Sequence, residues 1–252
     1  MRIDFPNLVY ETAGRVATIT LNRPERLNAL DYSSKWDLKA ALTHAAADDA
    51  VRVVAFRGAG RAFCAGINLK ELSQGRIDER NFELWEECLR IIETMDKLAV
   101  ALMQGYALGS GVQLAVACDL RIAAPGTQFG LPAGREGLLP GLAVWRLAKF
   151  VGLGRAMELA LIGDSIDAAE ARRIGLISEV AAEGEFDAWV ERIAALASQG
   201  VRATKRAMRE MSTMTYEQAL PAYMDHQRRG LASEDFAEAM LAFREKRQPQ
   251  WR

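Results

Sequence analysis

An α/β architecture finished by a helical region is predicted by three features of this sequence. Strand-like and helix-like segments alternate over residues 8–123, strand-like segments stop after Val180, and two glycine-rich turns each follow a β-like run. The 252 residues are 50% hydrophobic and 26% charged, enough to bury a large core in one domain or in a domain with an appendage. We place the core at 1–194 and the helical region at 195–252.

Residues 8–10 and 16–21 alternate around Ala13-Gly14 and read as paired strands. A helix follows, capped by Asp31 or Ser33 and ending near Ala47. The pattern then predicts a strand at 51–56, a helix at 78–96, a strand at 100–103, a helix at 109–117 and a strand at 120–123. The last quarter reads as four helices, at 185–198, 201–211, 216–229 and 233–246. The sequence holds no internal repeat or low-complexity segment.

With a formal charge of −1, the molecule as a whole attracts neither nucleic acid nor an anionic membrane. No apolar run approaches the roughly 20 residues of a membrane span, and the opening MRIDFP is neither a secretory signal nor a presequence. Lys205, Arg206, Arg209, Arg228 and Arg229 read as solvated helix faces. Cys64, Cys88 and Cys118 lack paired spacing and any CxxC, which argues against a disulfide framework and a zinc site and suits a reducing cytoplasm.

The two turns carry most of the information. Phe63-Cys64-Ala65-Gly66-Ile67-Asn68-Leu69-Lys70 and the run GYALGSGVQLA at 105–115 can each present bare backbone N–H groups. Two such donors aimed at one point make an oxyanion hole. The second run continues as an apolar helix, whose first N–H groups lack intrahelical partners at the positive end of the helix dipole. A dinucleotide fold fails: in VRVVAFRGAG the third glycine of GxGxxG would fall on Phe63. No GK[ST] occurs, and a nucleophile elbow at Ser110 would need glycine at Leu108 and Val112. His44 and His226 read as structural, so a Ser-His-Asp or Cys-His set has no evident base. Cys64 reads as a small packed side chain.

These turns, with LNRPERLNAL at 21–30, FGLPAGREGLLPG at 129–141, GRAMELALIGDSIDAAEARRIGLISEV at 154–180 and SEDFAEAMLAFREKR at 233–247, resemble the crotonase (enoyl-CoA hydratase/isomerase) superfamily nearly end to end. The resemblance implies a core spiral of ββα turns, trimerising C-terminal helices, and a homotrimer or dimer of trimers. It also implies an acyl-CoA thioester substrate, with coenzyme A arriving as part of it and no bound cofactor or metal.

Carried over by position, the resemblance assigns the oxyanion donors to the N–H groups of Ile67 and of Ser110, the latter in Gly109-Ser110-Gly111. Glu25, Arg26 and Leu27, then Ala65, Asn68 and Leu69, would line the nucleotide and pantetheine channel. Phe243 and Lys246 would reach it from the same or a neighbouring subunit. The family often has lysine where Glu25 stands and aspartate where Asn68 stands; Arg26 is placed to compensate for the first change.

The departure that matters lies in the acid/base pair. Hydratases of the family use two glutamates, one after the glycine-rich turn and one after FG-x-P; those positions here are Gln113 and Ala133. Members with one glutamate generally isomerise double bonds, and this chain keeps neither. The nearest replacement is Glu136, which a turn rebuilt by Gly134 would swing inward, along with or instead of Arg135. Closure by Phe129, Leu131 and Leu138 would raise its pKa and a meeting with Arg135 would lower it. The alternative places Glu136 and Arg135 as an exposed pair. The resemblance implies that the helix carrying Trp85, Glu86 and Glu87 walls the acyl pocket, which would let Glu86 or Glu87 reach inward as an alternative base; the spacing of Glu83, Glu86, Glu87 and Arg90 reads instead as a charged outer face. Three readings remain: a hydratase, isomerase, C–C lyase or hydrolase working through a thioester enolate; an acyl-CoA-binding relative without turnover; and a structural trimer.

Overall fold

The computed structural model describes residues 1–196 and 198–251. The N-terminal strands β1 (Arg2–Asp4), β2 (Leu8–Ala13) and β3 (Val16–Leu21) form an antiparallel meander, with β2 and β3 turning at Gly14, whose φ of 54° suits glycine. Helix α1 (Tyr32–Ala47) starts where Asp31 accepts from the Ser34 N–H in a capping box, so Asp31 rather than Ser33 is the cap. It leads into β4 (Val53–Gly58), which runs parallel to β3. The short α2 (Leu69–Ser73) and α3 (Glu79–Thr94, capped by Asp78) precede β5 (Leu98–Met103).

The chain continues through β6 (Tyr106–Leu108), α4 (Ser110–Ala117), β7 (Leu120–Ala123) and β8 (Gln128–Gly130). Short helices α5 (Ala143–Arg146), α6 (Ala148–Val151) and α7 (Leu153–Ile162) lead to β9 (Ile166–Asp167), α8 (Ala168–Arg173) and β10 (Glu179–Val180). Four helices close the chain: α9 (Phe186–Leu196), α10 (Gln199–Met211), α11 (Tyr216–Leu231) and α12 (Glu234–Glu245).

Seven strands form one sheet in the order β1-β2-β3-β4-β5-β7-β10, parallel from β3 onward; β6, β8 and β9 make a second, small sheet. The central strands are buried on both faces, which explains their unbroken apolar runs. Val54, Phe56, Ala99 and Ala101 pack on the side of α1 and α3, against Leu38, Leu42, Leu89 and Ile92. Val53, Ala55, Val100 and Leu102 pack with Phe186, Val190 and Ile193 of α9. Among the described residues no helix is long and apolar enough to cross a membrane.

The basic row on α10 departs from the solvated face expected of it. Lys205 is buried, donates to the carbonyls of Ile92 at 3.0 Å and Lys97 at 2.6 Å, and pairs with Asp119 at 2.8 Å. Arg209 donates to the Ala117 carbonyl at 2.9 Å and to Asp119 at 3.0 Å. These side chains fasten α10 to carbonyls left open at the ends of α3 and α4. Arg228 and Arg229 remain exposed and pair with Asp225.

Candidate active site

Two pieces of irregular chain meet where the glycine-rich turns were read. Phe63 and Cys64 donate to the carbonyls of Gln104 and Tyr106, and Leu108 donates to the Cys64 carbonyl, each at 2.9 Å. This short ladder lays 65–67 beside 108–110. Gly66 and Gly109 then touch: a Cβ on Gly66 would lie 3.1 Å from the Leu108 carbonyl oxygen, and one on Gly109 3.6 Å from Gly66 Cα. Their φ values of 102° and 50° add a second reason for glycine at both. On the other side, Ala65 donates to Leu27 at 2.9 Å and Leu30 donates to Gly66 at 2.8 Å, so the 27–30 segment buttresses the first turn.

Both predicted donors emerge from this junction. Ser110 is the first residue of α4, where an N–H has no intrahelical acceptor, and neither its N–H nor that of Ile67 donates to any acceptor among the described residues. Both residues line a cavity of about 70 Å³, together with Lys35, Ala65, Leu69, Phe82, Trp85, Gly109, Gln113, Ala133 and Glu136. Through Phe82, Trp85, Leu138, Leu139 and Gly141 it adjoins an open groove of about 720 Å³.

Gln113 is buried, and its Oε1 accepts from Trp85 Nε1 at 2.9 Å. Because an indole nitrogen only donates, this bond fixes the amide orientation and leaves the Nε2 hydrogens as donors. Ala133 sits on a 3₁₀ helix, Pro132–Glu136, that ends at Gly137 with φ 73°. Gly134, expected to rebuild the turn, lies inside this helix, and the left-handed residue is Gly137, one beyond Glu136. Glu136 is the one carboxylate among the described lining residues.

Glu136 and Arg135 are both exposed, as the alternative reading has them, and two details differ from the closed-site expectation. Glu136 is exposed at the mouth of the cavity rather than sealed in, because Phe129 and Leu131 point into a separate small space; of the three closing residues only Leu138 lines the site. Arg135 turns away, bonding Asp164 and, from Nη2 at 2.9 Å, the Ile162 carbonyl, so it does not meet Glu136.

The other carboxylates are engaged. Glu87 is held by Lys39 and Arg80 at 2.6 Å each, and Glu83 by Arg80 at 3.0 Å, forming the expected outer face. Glu86 instead turns to buried Arg146 at 2.8 Å and accepts from the Leu142 N–H at 3.2 Å, anchoring the 137–142 loop to α3; Glu93 shares the same guanidinium at 2.8 Å.

The residues expected to face coenzyme A fall in two groups. Glu25 and Arg26 are exposed on a 3₁₀ helix with a charge pair at 3.9 Å, and Leu27 follows in the left-handed conformation. Asn68 caps α2, its Oδ1 accepting from Lys70 at 3.1 Å and Glu71 at 3.4 Å, so the amide fills a role open to aspartate. Phe243, 80% exposed, and Lys246 lie at the end of α12 and do not line the cavity. His44 is exposed near Phe5 and Tyr10, and His226 bonds Glu210 at 2.8 Å. Burial pushes the Cys64 thiol up to about 12, which removes it as a nucleophile.

Sequence reasoning missed Lys35. It is 1% exposed and lines the cavity, held by Asn81 Oδ1. The signal was available: Lys35 precedes Leu38 and Leu42 by three and seven residues, which places a charge on the apolar stripe of α1.

The enoyl-CoA hydratase/isomerase family model matches residues 11–252. The chain is 35% identical over 251 residues to the crotonyl-CoA hydratase of Syntrophomonas wolfei, with 96% of each chain covered. It is 32% identical over 253 residues to the short-chain-enoyl-CoA hydratase of Clostridium acetobutylicum, with 97% of each covered. A crystal structure of enoyl-CoA hydratase from Bacillus anthracis superposes with a TM-score of 0.91 at 30% identity, covering 97% of this chain and 98% of that one. The fold, two sheets followed by C-terminal helices, is thus shared over nearly the whole length, and the chain belongs to the enoyl-CoA hydratase/isomerase, or crotonase, family.

Proposed function

We propose that this chain processes an acyl-CoA thioester through an enolate held between the Ile67 and Ser110 N–H groups, with Glu136 carrying the proton. The supporting observation is the pair of unengaged main-chain donors facing one cavity. The thioester oxygen accepts from both donors. As the α-C–H bond breaks, its electron pair moves onto that oxygen and the proton passes to the Glu136 carboxylate; the return path delivers it to the same or another carbon. One such donor is worth about 10²–10³ in rate. Family membership makes this a CoA-thioester enzyme related to the hydratase lyases, and CoA enters as part of the substrate. With Gln113 and Ala133 at the hydratase glutamate positions, the step is a hydration by other groups, an isomerisation, a C–C cleavage or a hydrolysis. The same two residues favour a second reading, an acyl-CoA binder without turnover. Incubation with a panel of acyl-CoA thioesters, read by mass and by chromatographic retention, separates them: a new mass or a new isomer of unchanged mass shows turnover, and unaltered thioester retained on the protein shows binding alone.

Crotonyl-CoA hydration is expected to be slow, by about 10²–10⁴ relative to a two-glutamate enzyme, because water must be deprotonated and the α-carbon protonated by groups this pair lacks. Gln113→Glu with Ala133→Glu is expected to raise it. Both positions line the cavity, and a glutamate at 113 keeps an acceptor for Trp85. A fast wild-type hydratase rate in a spectrophotometric assay would overturn this expectation.

Assembly as a trimer or pair of trimers through the helices after residue 195 belongs to the same proposal. Met208, Tyr216, Leu231 and Phe243 on α10–α12 are 62–80% exposed, more apolar surface than a solvated face carries. A monomer in sedimentation at micromolar concentration would count against it.

A further inference from the structure

The cavity contains a buried cation that the proton transfer above does not use. Lys35 lines it beside Ile67, Ser110 and Gln113. Its Nζ donates to Asn81 Oδ1 and, at 3.4 Å, to the Asn81 carbonyl, and stands 5.6 Å and 5.8 Å from the ring centres of Trp85 and Phe82. No carboxylate among the described residues pairs with it. Asp31, at the start of its own helix, is taken by Arg23; Glu86, on α3, is taken by Arg146. The thiols of Cys64 and Cys88 also face it, and burial pushes both up to about 12, so neither supplies negative charge.

A buried ammonium without a counterion opposes folding, and burial accordingly pulls the Lys35 pKa down to about 8. Its one protein acceptor is poorly served as well: Asn81 is fully buried with its Nδ2 unpartnered. An arrangement that weakens the free protein and sits inside a ligand cavity is one that a ligand completes. Gln113 lines the same cavity with its Oε1 engaged by Trp85, so its amide has N–H donors left for an acceptor there.

We propose that the acyl group accepted here carries a second, distal carboxylate, which pairs with Lys35 while the thioester oxygen lies between Ile67 and Ser110. This rests on the acyl-CoA reading above and narrows it to thioesters of short dicarboxylic acids. The attraction is strong because the pair forms away from water, against Trp85 and Phe82.

The test is calorimetric binding of succinyl-CoA and glutaryl-CoA against valeryl-CoA and hexanoyl-CoA, uncharged thioesters of matching chain length, with free CoA as control. Wild-type protein is expected to bind at least one diacid thioester about tenfold more tightly than its uncharged match, the worth of a hydrogen bond to a charged group. Lys35→Met, which fills the same volume with an apolar chain, is expected to lose that preference and bind the uncharged match more tightly than wild type does. Equal or reversed affinities in the wild type, or a preference that survives Lys35→Met, would overturn the proposal. If the uncharged thioesters bind in that case, the acyl-CoA reading stands; if none of the four binds better than free CoA, both fall. The wild-type comparison decides the matter even should the variant fold poorly.

Discussion

Glu136→Gln is expected to lower kcat for the true substrate by about 10²–10⁴ while changing acyl-CoA affinity by no more than about threefold, the signature of a group that acts only in the transition state. The geometry makes this an unusually clean substitution. Glu136 is exposed and has no hydrogen bond or ion pair among the described residues, so exchanging its carboxylate for an amide of equal size disturbs no packing. Arg135 is occupied with Asp164 and the Ile162 carbonyl and does not respond to the change. Single-turnover kinetics and calorimetry on the two proteins separate the chemical step from binding. An unchanged kcat would return Glu136 to a surface role and leave proton transfer to another group.

Gly111→Ala is expected to cost both activity and stability, although it adds a single methyl group. A Cβ at Gly111 would stand 2.5 Å from the Cys64 carbonyl oxygen and 3.1 Å from Cys64 Cβ, with backbone on one side and a buried side chain on the other. Relief requires the first turn of α4 to move away from the 63–66 segment, carrying the Ser110 N–H with it. A displacement near 1 Å costs about 10² in rate, and overpacking costs about 1–3 kcal/mol. Gly134→Ala is the matched control, since its Cβ would meet the Ala160 carbonyl at an ordinary 3.6 Å. Thermal unfolding and kcat/KM of both variants provide the readout. Full activity in Gly111→Ala would mean that the two turns are not held in register by this contact.

What could be read from the sequence was whatever its neighbours in the chain decide. The Gly14 hairpin, α1 with Asp31 as one of its two candidate caps, α3 and the β7 strand all follow from local periodicity and capping chemistry, and the structure places them within a few residues. The second sheet was invisible because β6, β8 and β9 are only two or three residues long, too short to show alternation. The helices α5, α6 and α8, four to six residues each, are likewise too short to show their period. At the site, the glycine turns were legible because a main-chain donor needs only small residues around it. Lys35 was not singled out, and neither was the buried state of Lys205, because each is defined by what packs over it: Asn81 and Trp85 from α3 in one case, Asp119 and two carbonyls in the other. Glu136 was found by proximity to a missing glutamate, yet its exposure depends on where the Gly137 turn sends the chain.

The two donors belong to the main chain, whereas the side chains that face them hang from separate elements: Lys35 from α1, Trp85 from α3, Gln113 from α4, Ala133 and Glu136 from the 3₁₀ helix. Exchanging any one of these side chains leaves the donors where the 63–108 ladder and the Gly66–Gly109 contact keep them. In the proposed mechanism, anion stabilisation and proton transfer are therefore heritable apart: the first is a property of the path of the chain, the second of a few codons. On that mechanism a lineage with this scaffold would trade one proton carrier for another through forms that keep the two donors in place, and no step of that drift requires the protein to refold.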